Sequence, residues 1–456
     1  MILKRFCAMM LCLVLCLTSV SWVYASGYDV NNDGSEDMKD VLVIRKFLAG
    51  MQVPITKQEA DVNQDGSADM KDVLAVRRHL MHFDEDVVVS LTSDEISSRP
   101  GYFALTADER TAYTAIVNAI EDGKYTPATV TISGHQVNGL HVDMNPNSDN
   151  AITVDELDRV MEAIQCDQVE FFFMKSHYGY NYVTINGKDY CSGLNIEFNM
   201  SQSDVAAAET RLANVIQVIV NEAPKNDVFA CEKYLHDKIC AMCDYDYDTA
   251  HGTSQASALA YSAYGALIRG KAVCTGYTLA MQLLCNYVNI PCYHIRGIAQ
   301  GGDHMWNIIY LTGYPYFLDV TWDDDEDSGP LYSYFNVTDE ILDYRQITQE
   351  FPSAPQCSAT EYNYFVYNQC YTSTNAPTFA AKLMAKAIKS GKNSISMKTT
   401  ASGITAIKNW LNDGYKVYDD VNALLSGSGK SMNGISYILD EEMNIFYFMA
   451  TSIANT

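Results

Sequence analysis

The sequence predicts an α+β fold: a cysteine-headed helix packed on an antiparallel sheet, an all-α acidic module before it, and accessory α/β regions around it. Three observations carry this expectation. An apolar run of helical period starts at Cys274, with Ala280, Leu284 and Val288 at i, i+4 and i+8 and Leu283 and Tyr287 beside them. Strand-like runs follow at Cys292–Ile298, His304–Leu311 and Tyr316–Val320. An acidic loop that leads into a helix occurs twice, once from Asp29 and once from Asp61.

Pro291 ends the cysteine helix. Gly301-Gly302-Asp303 and Thr312-Gly313 mark turns, so the last two strands read as a hairpin. With a two-residue loop His304 pairs with Thr321, and Asp319 is its diagonal neighbour, roughly 7–8 Å away between backbone positions. That spacing suits a Cys–His–Asp relay. The thiolate is the nucleophile, and a helix N-terminus and a nearby imidazolium both favour it. The carboxylate fixes the imidazole tautomer. Singly, Cys274, His304 and Asp319 each read as a structural residue; together and in this order they read as a catalytic-type site.

The stretches GKAVCTGYT, DHMWN and YFLDVTWDD resemble the three catalytic motifs of the transglutaminase-like superfamily, which is related to papain-like cysteine proteases. HDKICAMCDYDYD and SAYGAL resemble the lead-in of its bacterial members. The resemblance spans roughly Cys231 to Tyr344. It implies a transglutaminase-like core with Cys274 as nucleophile, His304 as base and Asp319 as orienting acid. It also implies attack on amide bonds through an acyl-enzyme, ending in hydrolysis (a peptidase or amidase) or in crosslinking. Trp306 and Trp322 adjoin these residues, either as core or as walls of an acyl tunnel.

At the start of the chain, Lys4 and Arg5 precede an apolar segment from Phe6 to about Val20, and Val23-Tyr24-Ala25 closes it with a small residue. Residues 1–25 are therefore expected to be a secretory signal, and the protein an extracellular or cell-surface component. No later apolar run is long enough to span a bilayer. The net charge of −25 disfavours nucleic acid and anionic membranes as partners. Ten cysteines follow the signal; with Cys274 kept free an odd number remains, so a full disulfide framework is not expected.

The repeat reads DVNNDGSEDMKDVLVIRKFL and DVNQDGSADMKDVLAVRRHL. Hard oxygen ligands at loop positions 1, 3, 5, 9 and 12, with Gly at 6, are what Ca²⁺ requires. The first loop offers Asp29, Asn31, Asp33, Asp37, Asp40 and the Ser35 carbonyl; the second offers Asp61, Asn63, Asp65, Asp69, Asp72 and the Ser67 carbonyl. Gly34 and Gly66 hold the sixth positions, and helices are expected at Val41–Leu48 and Val73–Leu80. A duplicated loop-helix unit with Asp at position 12 resembles a dockerin, here over residues 28–84. The resemblance implies two Ca²⁺ ions and a cohesin partner. It assigns the docking face to Met38, Lys39, Arg45 and Lys46, mirrored by Met70, Lys71, Arg77 and Arg78.

Residues 85–100 read as a linker. Residues 101–225 read as an α+β supporting domain. Its expected elements are a helix Ala107–Ala119 capped by Thr106, a strand Thr129–Ile132, and a helix to Ile164 opened by a Thr153–Glu156 capping box. Strands are expected at Phe171–Phe173 and around Tyr178, Tyr180 and Tyr182, and a helix at Leu212–Val220. The catalytic region is placed at 226–345. Residues 376–456 read as a small α/β module with strands Ile395–Lys398 and Ile435–Leu439 and a helix Ile404–Leu411. The expected whole is a secreted, scaffold-docking protein acting on protein or peptide amides. Its alternative is a catalytically silent component of a cellulosome-type polysaccharide-degrading complex; no paired-carboxylate cleft motif is present for glycoside cleavage.

Overall fold

The structure, a computed structural model, describes residues 28–32, 34, 38–48, 53–62, 66–68, 72, 76 and 99–455, except 254, 326–328 and 350–351. The chain divides into two compact units between residues 85 and 86. The expected signal and most of the expected linker lie outside the described residues, as does most of the helix expected at Val73–Leu80.

In the first unit, the helix Met38–Leu48 starts at the tenth loop position, three residues earlier than expected. Asp40 thus sits in its first turn, where its Oδ1 accepts the Asn31 N–H at 3.0 Å. A short helix, Lys57–Ala60, leads into the second loop behind a Thr56–Glu59 capping box. Val30, Val41, Ile44, Ile55, Ala60 and Val76 form the apolar centre.

Among the described residues, the second unit holds three antiparallel sheets. In the first, the order is Thr129–Ile132, His135–Asp143, Lys188–Phe198, Met174–Ile185. The helices Ala107–Gly123 and Val154–Asp167 start at complete capping boxes, Thr106–Glu109 and Thr153–Glu156. Phe171–Phe173 is a buried turn before the strand Met174–Ile185, not a strand. Three consecutive buried rings cannot satisfy the alternation of a half-exposed strand, so the segment turns instead. A long helix, Gln202–Glu222, closes this region.

The central sheet runs Arg345–Ile347, Cys292–Ala299, Gly302–Leu311, Tyr314–Leu318, with all neighbours antiparallel. The helix Cys274–Tyr287 packs on its two middle strands. Thr312 (φ 50°) and Gly313 (φ 88°) make the expected two-residue hairpin loop. Gly276, in the first turn of the cysteine helix, has no room for a side chain. A Cβ there would meet the Ala260 carbonyl oxygen and the Ala272 Cβ at 2.6 Å. The third sheet, Ser394–Lys398, Ile445–Asn455, Lys430–Asp440, packs with helices Ala376–Lys389 and Lys416–Leu425 around Met384, Trp410 and Phe448.

Candidate active site

Cys274 is the first residue of its helix and is half-buried. No side chain caps that end, so the first-turn N–H groups have no side-chain acceptor there. The helix is tied to the neighbouring strand one turn further on. Thr278 Oγ1 donates to the Met305 carbonyl at 2.9 Å, and Asn307 Nδ2 donates to the Thr278 carbonyl at 3.0 Å. These bonds tie the strand just after His304 to the cysteine helix.

His304 is buried, opposite Gly297 on the adjoining strand. Its Nε2 lies 2.7 Å from Asp319 Oδ2. The Cys274 thiol lines the same cavity as the imidazole and acts on its charge. Burial alone would lower the basicity of the ring. The Asp319 carboxylate and then the thiol reverse this, raising the His304 pKa to about 9.

Asp319 is not a strand residue. The hairpin pairing stops at Asn307 with Leu318, and Asp319 caps the short helix Val320–Asp323, accepting the Trp322 N–H at 3.1 Å. The expected His304–Thr321 pair is absent because the chain leaves the sheet one residue before Asp319. Burial would raise the Asp319 pKa. The charges of His304 and Arg345 overcome this and hold it at about 2.

Arg345 went unnoticed in the sequence. It is buried, with Nη1 2.7 Å from Asp319 Oδ2. Its N–H groups are not aligned on an acceptor, so the contact is an ion pair, not a hydrogen bond. The guanidinium lies over the rings of Trp322 at 4.1 Å, Tyr334 at 4.7 Å and Trp306 at 5.1 Å. A lone arginine in a polar stretch carries no motif, so only the fold reveals it. Trp306 and Trp322 stack around His304 at 5.9 and 5.1 Å, and Trp306 is wholly buried. They are core around the imidazole; neither is among the residues lining the cavity that holds Cys274.

That cavity, about 850 Å³, is lined by Cys274, His304, Tyr245, Tyr261, Arg296 and Gln349 among others. Tyr245 was also missed. A two-residue parallel bridge pairs it with Ala272, two positions before Cys274. Burial, and then the neighbouring Cys274, push its phenol up to about 12, so it stays a donor. A thiol at a helix head, an imidazole and a carboxylate in series, opening into a cleft, can carry out nucleophilic acyl transfer.

Two stretches of the chain match known domain families. Residues 217–320 match the transglutaminase-like superfamily, and residues 27–81 match the dockerin type I domain. Among solved structures, a transglutaminase ("TGase") is similar at 14% identity and a TM-score of 0.23, covering 40% of this chain and 55% of that one. A protein described as a candidate cysteine protease, from Cytophaga hutchinsonii, is similar at 13% identity and a TM-score of 0.20, covering 32% of this chain and 62% of that one. The chain thus spans little more than half the length of either, and the family matches carry the assignment. No curated protein matches the chain. The transglutaminase-like match covers Cys274, His304 and Asp319.

A second buried cluster includes Asp323, four residues after Asp319. His236 lies between Asp237 (Nδ1 to Oδ1, 3.1 Å) and Asp323 (Nε2 to Oδ2, 3.3 Å). Burial opposes its charge, but the two carboxylates raise its pKa to about 9. All ten cysteines after residue 25 are free thiols.

In the dockerin domain, Gly34 (φ 85°) and Gly66 (φ 92°) adopt the left-handed backbone expected at the sixth loop position. Their N–H groups donate to Asp29 Oδ2 and Asp61 Oδ2, each at 3.0 Å. Asp40 and Asp72 are buried, and Asp61 Oδ1 is buried without a hydrogen-bond partner. Asp33, Ser35, Asp37, Asn63, Asp65, Asp69, Met70, Lys71, Arg77 and Arg78 lie outside the described residues, as do the side chains of Met38 and Arg45. Among the described residues no three metal-ligating side chains converge, and no helix is long and apolar enough to cross a membrane.

Proposed function

We propose that this is a secreted, scaffold-docking amidohydrolase that cleaves amide bonds of a protein or peptide with Cys274, His304 and Asp319. The observation that carries the reading is the His304 ring held by Asp319 in the cavity that Cys274 lines from a helix N-terminus. Cys274 passes its proton to His304, and the sulfur attacks the carbonyl carbon. The oxyanion takes hydrogen bonds from the Cys274 N–H and the Tyr245 hydroxyl. As the C–N bond breaks, His304 returns the proton to the leaving amine and a thioester remains. Water, deprotonated by His304, then attacks the thioester, releasing the acid and restoring the thiol. Asp319 keeps the ring oriented throughout.

The dockerin residues fit a cation. An orphaned buried carboxylate oxygen on Asp61 is costly without a counter-charge. Asp29, Asn31, Asp33, Asp37, Asp40 and the Ser35 carbonyl would hold one Ca²⁺; Asp61, Asn63, Asp65, Asp69, Asp72 and the Ser67 carbonyl would hold a second. The cohesin-facing residues are then Met38, Lys39, Arg45 and Lys46 and their repeat counterparts.

The test is activity-based labelling with iodoacetamide, read by mass spectrometry, alongside turnover of a peptide library. Labelling concentrated at Cys274, with cleavage lost in Cys274→Ala, supports the reading. A thiol no more reactive than a denatured cysteine, with no cleavage, would leave a silent docking component.

A further inference from the structure

A second, more enclosed cavity of about 460 Å³ opens directly off the catalytic cleft. The two share Tyr261, Thr275, Arg296 and Met305, and Thr275 follows the nucleophile in sequence. Its apolar walls come from two parts of the chain. Ile164, Phe171, Phe172 and Met174 belong to the region before the transglutaminase-like match; Leu279 lies on the cysteine helix and Ala258 at the rim. Phe172 is fixed by stacking on Tyr264, ring centroids 4.9 Å apart. The wall is therefore preformed.

The charges around this cavity are already matched. Arg296 pairs with Glu162 at 2.6 Å, and Lys175 and His177 both pair with Glu197. His294, at the floor, contacts Gln282 Oε1 at 3.2 Å and is kept neutral by burial, with its pKa near 3. A charged side chain entering here would be desolvated without a free counter-ion. A large uncharged one would gain apolar burial. Leu279 lies five residues along the helix from Cys274, about 7.5 Å at 1.5 Å per residue. An extended substrate covers that distance in about two residues.

We propose that this cavity is the specificity pocket for the acyl-donor substrate, taking a bulky uncharged side chain, aromatic or branched aliphatic, within two residues of the scissile carbonyl. The proposal rests on the amidase reading for its position beside the scissile bond. It gives the region before the transglutaminase-like domain a direct part in substrate choice.

Binding can be measured without chemistry, in the Cys274→Ala protein, by calorimetry with N-acetyl-X-glycinamide and N-acetyl-X-amide, X being Phe, Leu, Ala, Glu or Lys. In at least one of the two series Phe and Leu should bind about tenfold or more tighter than Ala, Glu and Lys. Ala258→Trp and, separately, Leu279→Trp in the same background should abolish that difference, with circular dichroism confirming that each is folded. Equal affinities for all five in both series would overturn the proposal. So would a Phe preference that survives a folded pocket-filling variant. Turnover by the unmodified protein is a separate reading. A Phe preference in binding with an inert Cys274 would sink the amidase and leave the pocket.

Discussion

His304 Nε2 and Asp319 Oδ2 stand 2.7 Å apart, although the two residues share no rung of the sheet. The carboxylate reaches the ring from the cap of a short helix, with Arg345 on its other side. Three charges thus meet in a buried space walled by Trp306, Trp322 and Tyr334.

This arrangement sets the pH range of the proposed reaction. The imidazolium must protonate the leaving amine, so kcat/KM should fall as pH rises through about 9. In Asp319→Asn the raising charge is gone, and the alkaline limb should move to lower pH with roughly 10²–10⁴-fold less activity. A pH–rate profile of both proteins checks this; an unmoved limb would remove Asp319 from the relay.

Removing the Asp319 carboxylate leaves Arg345 buried without its counter-charge. Asp319→Ala should cost about 3–5 kcal/mol in urea unfolding. Arg345→Met should cost less, since His304 still balances the carboxylate, and the double variant should recover part of the loss. The native Asp319 contribution is present above pH 3.8 and fades as pH falls toward 2.

His236 gives the opposite sign. Its folded pKa, about 9, lies above the ordinary 6.5, so its contribution is complete below pH 6.5 and lost as pH rises through 9. The urea midpoint should drop between pH 6.5 and 9.5, and His236→Gln should flatten that drop. His304 contributes in the same direction, so some slope remains.

Gly276→Ala sets a helix-propensity gain of about 1 kcal/mol against overpacking of about 1–3 kcal/mol. The Ala260 carbonyl is backbone and cannot turn aside. We expect a lower Tm and slower iodoacetamide alkylation of Cys274, because the first turn must shift.

Calorimetric titration of the whole chain with Ca²⁺ should give two sites. Asp29→Ala and Asp61→Ala should each remove one, and a chelator should release a cohesin partner. Unchanged stoichiometry in either variant would refute the loop assignment.

Much of this was legible in the sequence because it is local. The cap at Thr106, the capping box at Thr153, the helix head at Cys274 and the hairpin loop at Thr312-Gly313 each depend on neighbours within a few residues. The Phe171–Phe173 strand failed for the same reason reversed: its burial is imposed by Tyr264 and Phe198, far along the chain.

The sequence by itself determined the order Cys274, His304, Asp319, the duplicated acidic loops and the helix starts at Ala107, Val154 and Cys274, since these follow from spacing and short-range hydrogen bonding. Only the tertiary structure decided that Asp319 leaves the sheet, that Arg345 balances it, that Tyr245 stands beside the thiol, and that Phe172 and Leu279 wall one cavity. Those relationships join residues tens to more than a hundred positions apart, and closure of the packed core, not any local preference, brings them within reach.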